Sequence, residues 1–160
     1  MPSKYSLNEI IKFAIEIEKE GALFYEKISQ KSLNQKSKQV FDKLKNEELI
    51  HKKKIENILE MIGPDENYYI NHNENEYIAY LHAFIEKVIF KREDINNIMK
   101  KINNDYEAIK YAITKEEESI RFYENIKHFT TKSSNSIIDL IISEENLHLS
   151  DLLSLKENLL

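Results

Sequence analysis

EELIH (residues 47–51) and EENLH (residues 144–148) are the two stretches that decide the fold of this chain. Each places a histidine three positions after a glutamate, Glu48 before His51 and Glu145 before His148. Side chains three positions apart lie on one face of a helix, so the members of each pair can act together. A single pair of this kind is common on helix surfaces, where acidic residues abound. Two pairs in one short chain suggest that both serve the same site.

The two motifs belong to an internal repeat. The segment AIEIEKEGALFYEKI (14–28) aligns without gaps with AITKEEESIRFYENI (112–126). The identical positions are Ala14/Ala112, Ile15/Ile113, Glu18/Glu116, Glu20/Glu118, Phe24/Phe122, Tyr25/Tyr123, Glu26/Glu124 and Ile28/Ile126. EELIH and EENLH follow these segments at nearly the same offset, so the chain reads as two helix pairs, the second a diverged copy of the first. A pseudo-twofold axis between the pairs would let the two motifs face each other.

Four long amphipathic helices are expected. They cover about 6–31, from the end of SLNQ (32–35) to Gly63-Pro64, about 104–128, and from within 130–136 almost to residue 160. Residues 65–76 read as a loop, and 76–90 and 91–105 as one or two shorter helices. With only two glycines and two prolines in 160 residues, the pattern predicts an all-α four-helix bundle of two hairpins joined by a long crossover. Residues 1–160 are predicted to form a single domain.

Composition excludes several classes of protein. The net charge of −5 gives no reason to expect nucleic acid or an anionic membrane as partner. The absence of cysteine excludes disulfides, thiolate zinc sites, iron–sulfur clusters and a built-in rubredoxin-type electron relay. No stretch approaches about 18 unbroken apolar residues, and the N-terminus has no apolar signal segment. A soluble, cytoplasmic protein is expected.

The glutamates and histidines of the motifs fall on the core-facing stripes of the helices. The second helix carries a strict heptad seam of Phe41, Leu44, Glu48, His51, Ile55, Ile58 and Ile62, and the fourth repeats it with Ile138, Ile141, Glu145, His148, Leu152, Leu155 and Leu159. The stripe of the first helix is Ile11, Ala14 or Ile15, Glu18, Ala22 and Tyr25, and that of the third is Ile109, Ala112 or Ile113, Glu116, Ile120 and Tyr123. The neighbouring acids Glu16, Glu20, Glu47, Glu118 and Glu144 fall off the stripes and are expected to be solvated.

Four carboxylates and two imidazoles therefore replace apolar side chains in the middle of the predicted core. Burying an uncompensated carboxylate costs on the order of several kcal/mol, and like charges close together cost more. Two divalent ions would balance four carboxylates, and oxygen-rich ligation with one imidazole for each ion suits iron, with manganese as the alternative. We predict a metal site formed by Glu18, Glu48, His51, Glu116, Glu145 and His148.

The remaining histidines and two tyrosines are not predicted to be metal ligands. His72 and His128 are expected to be solvated, and His82 to pack within the crossover. Tyr25 and Tyr123 lie seven positions after Glu18 and Glu116, on the same helix faces. Two roles stay open for these tyrosines: core packing with a satisfied hydroxyl, or a catalytic role beside the metal site.

The sequence resembles the ferritin-like di-iron superfamily and, within it, the rubrerythrin-type domains. The resemblance covers nearly the whole chain and rests on EKEGALFY (18–25), EELIH (47–51), EEESIRFY (116–123) and EENLH (144–148). It implies a ferritin-like fold with two iron ions. It makes Glu18 and His51 terminal ligands of one ion, Glu116 and His148 terminal ligands of the other, and Glu48 and Glu145 the bridging pair.

Two features depart from the rubrerythrin pattern. Ser119 stands where rubrerythrins often carry a further carboxylate, one turn after the third-helix ligand. The cysteine-rich rubredoxin module is absent, so electrons must come from another protein, such as a rubredoxin, or from a small reductant.

The resemblance implies an oxidoreductase that reduces hydrogen peroxide or dioxygen to water, with a role in oxidative stress. A ferroxidase, or an iron-handling or storage protein, is the alternative, although the chain ends soon after its fourth long helix, which argues against a ferritin cage. A bundle that has lost its metal is a third hypothesis, and the intact ligand set argues against it. A homodimer is expected, because the crossover carries Tyr68, Tyr69, Tyr77 and Tyr80 as exposed aromatics.

Overall fold

Helices make up most of the protein. The computed structural model describes residues 5–63 and 75–159. In chain order its α-helices are α1 (Leu7–Lys31), α2 (Gln35–Ile62), α3 (Asn75–Ile85), α4 (Ile95–Lys101), α5 (Asp105–Ile126) and α6 (Lys132–Asn158). α3 continues directly into a π-helical turn, Glu86–Phe90. The prediction of an all-α fold with four long helices and short helices in the crossover is confirmed.

Local side-chain chemistry sets the ends of the long helices. Ser6 forms a capping box with Glu9, in which each side chain bonds the backbone N–H of the other residue. Asn34, Asn104 and Thr131 cap the starts of α2, α5 and α6 with their side chains. Gly63 ends α2 with a φ of 75°, a left-handed conformation that favours a residue without Cβ.

The helices pack as two hairpins. α1 packs along α2 and α5 along α6, while contacts of α2 with α6 and of α1 with α5 join the two hairpins. The crossover lies against both, because α3 packs on α5 and α4 packs on α1. The heptad seams of α2 and α6 face inward as expected, with only their last members, Ile62 and Leu159, partly exposed.

Some details differ from the sequence-based expectations. Tyr77 and Tyr80 are half-buried and pack against the core, so the expectation that they are exposed is wrong. On α5 the fully inward position after Glu116 is Ser119, and Ile120 is only partly buried. Apart from residues 75 and 76, which begin α3, the expected loop at 65–76 lies outside the described residues, as do Tyr68, Tyr69 and His72.

The other two described histidines, His82 and His128, each contact an aromatic ring. His82 contacts the ring of Tyr5 edge-on, with ring centroids 5.5 Å apart, and so packs within the crossover region. His128 is exposed and stacks on Tyr77 at 3.8 Å. Along 5–63 and 75–159, no helix has the length and apolar character needed to cross a membrane.

Candidate metal centre

A polar cluster divides the core of the bundle into two apolar layers. One layer is formed by the start of α1, the end of α2, the end of α5 and the start of α6, and it includes Ile11, Ala14, Ile55, Ile58, Phe122, Tyr123, Ile138 and Ile141. The other is formed by the opposite ends of the same helices, and it includes Tyr25, Ile28, Phe41, Leu44, Ile109, Ala112, Leu152 and Leu155. The glutamates and histidines of the motifs lie between these layers, at the middle of each helix.

All six predicted ligands are buried there together. Their exposed fraction is at most 5%, and the set is Glu18, Glu48, His51, Glu116, Glu145 and His148. Glu48, His51, Glu145 and His148 each offer one donor atom within 4.8 Å of the others. The two imidazole rings stack, with centroids 5.1 Å apart. The structure thus brings the two distant motifs into one cluster.

The His51 imidazole turns its Nδ1 atom into the cluster. This atom lies 3.2 Å from a carboxylate oxygen of Glu145, 3.6 Å from Glu18 and 3.8 Å from Glu48. Three carboxylates of three different helices therefore converge on one ring nitrogen.

The His148 imidazole repeats this arrangement on the other side. Its Nδ1 lies 3.1 Å from Glu145, 3.3 Å from Glu48 and 3.6 Å from Glu116. Glu48 and Glu145 thus contact both imidazoles, whereas Glu116 contacts His148 alone. These contacts have the pattern that the resemblance implies for two bridging and two terminal carboxylates. Metal ligation by these residues stays a prediction.

The donor atoms fit a metal ion. Glu18 Oε2 and His51 Nδ1 are buried, lie 3.6 Å apart, and have no hydrogen-bond partner. Leaving such groups unpaired costs about 1–3 kcal/mol each, and more for charged ones. Carboxylate oxygens and imidazole nitrogens are the ligand types that iron and manganese accept. A cation would satisfy both atoms and compensate the buried charge.

Without a cation, bound protons must compensate the negative charge of the buried carboxylates. Burial raises the pKa of Glu48 well above its usual range, and repulsion from Glu145 raises it further. The same two causes raise the pKa of Glu116 to about 8. Burial alone would lower the pKa of His51, but the carboxylates that face its Nδ1, that of Glu145 foremost, outweigh burial and bring the pKa to about 12. The cluster therefore takes up protons whenever no metal is bound.

The two tyrosines cross-link the hairpins. The Tyr25 hydroxyl, on α1, donates to Glu116 Oε1 on α5 at 2.5 Å, and the Tyr123 hydroxyl, on α5, donates to Glu18 Oε1 on α1. Burial, and next the adjacent carboxylate, raise the pKa of both phenols well above 10, so both remain hydrogen-bond donors. Both hydroxyls are thus satisfied, and each contacts a predicted terminal ligand. A catalytic role for the two tyrosines stays a prediction.

Two carboxylates outside the predicted set also belong to the site. Glu144 Oε2 lies 2.8 Å from His51 Nε2, and Glu47 Oε2 lies 2.7 Å from His148 Nε2. Each stands on the helix pair opposite to its histidine, with its side chain about one-third exposed. The expectation that Glu47 and Glu144 are solvated is wrong, because a helix position off the core stripe can still reach an imidazole on the facing helix. Both motifs contain two glutamates in a row, which was the available signal.

Such outer carboxylates orient a metal-binding histidine. A carboxylate on one ring nitrogen fixes which nitrogen carries the proton and leaves the other free for the metal. In both histidines Nδ1 faces the cluster, but only His51 Nε2 hydrogen-bonds its outer carboxylate, Glu144. His148 Nε2 lies 2.7 Å from Glu47 Oε2 without the geometry of a hydrogen bond. The other off-stripe acids do not contact the cluster: Glu16 and Glu20 lie near Arg92, and Glu118 pairs with Lys87 and Lys115.

Comparison with known proteins agrees with this geometry. The family model described as Rubrerythrin matches residues 9–156. The chain belongs to the rubrerythrin family. A solved structure, described as a ferritin-like diiron-carboxylate protein from Thermotoga maritima, is similar to this rubrerythrin-family chain with a TM-score of 0.69 and 23% identity over 95% of each chain. At that identity the likeness shows the shared fold. A search of curated proteins finds no match.

The resemblance seen in the sequence is therefore confirmed. The protein is thus a rubrerythrin-family chain whose buried cluster of glutamates and histidines could hold a metal ion.

Proposed function

We propose that this protein is a di-iron oxidoreductase that reduces hydrogen peroxide, or dioxygen, with electrons from an external donor. The observation that supports it most is the paired arrangement of the cluster. Two imidazoles turn Nδ1 toward the same two carboxylates, and each has one further carboxylate of its own. This arrangement provides two adjacent half-sites, so that two ions held there could each contribute one electron to a two-electron reduction.

The chain's residues have separate tasks in this proposal. Glu18 and His51 hold one ion, Glu116 and His148 the other, and Glu48 and Glu145 lie between them. Two iron(II) ions so held would supply two electrons and open coordination positions to a peroxide. Tyr25 and Tyr123 hold the terminal carboxylates in place through their hydroxyl protons. Hydrogen peroxide, two electrons and two protons give two molecules of water.

The electrons must reach the site from outside the chain. The protein has no cysteine, so it cannot hold a thiolate-bound iron centre of its own. A rubredoxin or a similar small electron carrier is the donor that we propose, with a homodimer as the functional form.

Metal content and peroxide reactivity test this proposal. Protein purified from a culture rich in iron and manganese is expected to hold about two ions per chain. After anaerobic reduction, one equivalent of hydrogen peroxide should reoxidise it quickly, while a His51→Ala/His148→Ala variant should bind little iron. Faster reaction with dioxygen than with peroxide would favour the alternative, a ferroxidase or iron-handling protein. Absence of metal from the wild-type protein would contradict both.

A further inference from the structure

A cavity lies beside the metal centre, enclosed by α1, α5, the π-helical turn and α4. Its volume is about 330 Å³, and its inner end reaches the carboxylates Glu18, Glu48 and Glu116. One water molecule occupies roughly 30 Å³ in the liquid, so the cavity holds several times the volume of hydrogen peroxide. Cavities of roughly 300–1,000 Å³ are typical of sites for organic ligands.

The walls of the cavity are mostly apolar. Its lining includes Ile17, Phe24, Phe84, Val88, Ile98 and Tyr111. Phe24 and Tyr111 lie with their ring centroids 5.0 Å apart and form one side. Besides the cluster carboxylates, the lining includes charged residues that pair with one another: Lys87 and Lys115 both pair with Glu118, and Arg92 pairs with Glu20. An apolar body is therefore better accommodated in the middle of the cavity than a polar one.

Two small residues open the way from the cavity to the cluster. Gly21 and Ser119 both line it, each one turn after a predicted terminal ligand, Glu18 and Glu116. A Cβ atom at Gly21 would lie 3.5 Å from Glu48 Cδ, so the glycine lies directly against this carboxylate. Side chains larger than those of Gly21 and Ser119 would separate the cavity from the cluster.

We propose that this cavity binds the apolar part of an organic hydroperoxide, R–O–O–H, with the peroxide end at the metal centre. The proposal rests on the proposed function and names the substrate class that fits beside this site. The reaction breaks the O–O bond. The hydroperoxide takes up two electrons, from the same external donor, and two protons, and it leaves as the alcohol R–O–H and water. The apolar walls select for R, and the carboxylate end receives the polar group.

Binding is tested with cumyl alcohol, a redox-inert product analogue, titrated into the metal-loaded protein by calorimetry. Binding at submillimolar concentration is expected for the wild type. Val88→Trp, which fills the cavity from the π-helical turn, should weaken it at least tenfold. Leu59→Trp is the matched control, because Leu59 is also a partly buried apolar residue but lies outside the cavity; it should bind like the wild type. Ile98→Trp fills the cavity from α4 and replaces Val88→Trp if that variant does not fold.

Reoxidation of the reduced protein gives a second reading. The rate with cumene hydroperoxide relative to the rate with hydrogen peroxide should fall at least tenfold in Val88→Trp and stay unchanged in Leu59→Trp. If cumyl alcohol does not bind the wild type, or binds Val88→Trp equally well, this inference is wrong. The proposed function would still stand in that case, provided that the reduced protein reacts quickly with hydrogen peroxide. Binding of cumyl alcohol without reaction with either peroxide would instead refute the proposed function and, with it, the assignment of the ligand as a substrate.

Discussion

The two halves of the metal centre have the same inner residues and different outer ones. In one half, Glu144 contacts His51 and receives Lys54 Nζ on both of its oxygens, at 2.8 and 2.9 Å. In the other half, Glu47 contacts His148, but the position equivalent to Lys54, three residues after the histidine, is Asp151. Asp151 pairs with Lys43 at 2.8 Å. Across 5–63 and 75–159, no lysine or arginine pairs with Glu47.

This difference shows how an internal repeat diverges. The residue types at inward positions are constrained by the groups that they contact, so glutamate, histidine and tyrosine recur in both copies. Outward positions contact only solvent and neighbouring helices, so their residue types are less constrained. A lysine in one copy can therefore be an aspartate in the other. The negative charge behind His51 is paired directly with Lys54, whereas the charge behind His148 is attracted only at longer range, by Lys43. We therefore expect the His148 half to bind a divalent cation more tightly.

Removing what the two halves share should have the largest effect. Glu48 and Glu145 contact both imidazoles, so Glu48→Ala/Glu145→Ala should abolish tight metal binding in both halves at once. Metal content by mass spectrometry measures this, with Glu56→Ala, a surface residue paired with Lys52, as control. Retention of two irons by the double variant would show that these residues do not bridge the halves.

Removing the metal should make stability fall as pH rises. The raised pKa of Glu116, about 8, means that the folded chelated protein holds a proton that the unfolded chain loses above about 4.5. The stability that His51 contributes is fully present below 6.5 and is lost as pH rises toward its folded pKa of about 12. Between pH 6.5 and 8, each of these two groups should therefore lower the unfolding free energy of the chelated protein by about 1 kcal/mol per pH unit.

The metal-loaded protein should show the opposite slope in this pH range, because metal binding needs deprotonated carboxylates and a free Nδ1. Melting temperatures of the chelated and loaded forms at pH 6.5, 7.2 and 8 measure both slopes. Parallel slopes for the two forms would mean that protons and metal do not compete for this cluster.

Changing the outer carboxylates one at a time should sharpen the comparison. Glu47→Gln removes a charge behind His148 that has no direct ion pair with a lysine, and it should weaken one of the two binding steps about 10- to 100-fold. Glu144→Gln removes a charge that Lys54 already offsets, so its effect should be only about threefold. Anaerobic calorimetric titration with manganese(II) resolves the steps, with Glu56→Gln as control. Equal losses in the two variants would show that Lys54 does not distinguish the halves.

The smallest effects are expected where the halves are alike. Tyr25→Phe and Tyr123→Phe each remove one hydroxyl donor from a terminal carboxylate, Glu116 or Glu18, and should each cost about 1 kcal/mol of unfolding free energy. Urea denaturation of the loaded protein measures this cost. Tyr106→Phe, which changes a tyrosine on α5 away from the cluster, should leave stability unchanged. If only one of the two substitutions lowers the unfolding free energy, the two halves of the site differ in their inner residues as well as in their outer ones.

Much of this fold was predictable because the signals are local. Ser6 with Glu9 marks the start of α1, and Gly63 marks the end of α2, through hydrogen bonds and backbone angles that involve only nearby residues. The heptad seams predicted which side chains point inward, and Glu48 and Glu145 were among them. The π-helical turn after α3 carries no comparable signal, because it packs against α1, which is distant in the sequence.

The outer part of the site was less predictable. Helical periodicity assigns each residue to a face of its own helix, and it classed Glu47 and Glu144 as solvated. Whether such a residue meets an imidazole depends on how closely two helices approach, which is a property of the assembled bundle. The cavity beside Gly21 and Ser119 likewise depends on tertiary packing, since its walls come from several separate helices.

The helices, the repeat, the inward direction of six ligand-type side chains and hence the family were predictable from the sequence. These features follow from spacing along one helix and from the cost of burying charge without a partner. The packing of the helices was needed to show which nitrogen of each histidine faces the cluster, which carboxylates lie behind the histidines, and that Lys54 supports one half alone. Those features depend on distances of about 3 Å between different helices, and such distances are fixed only when the helices pack.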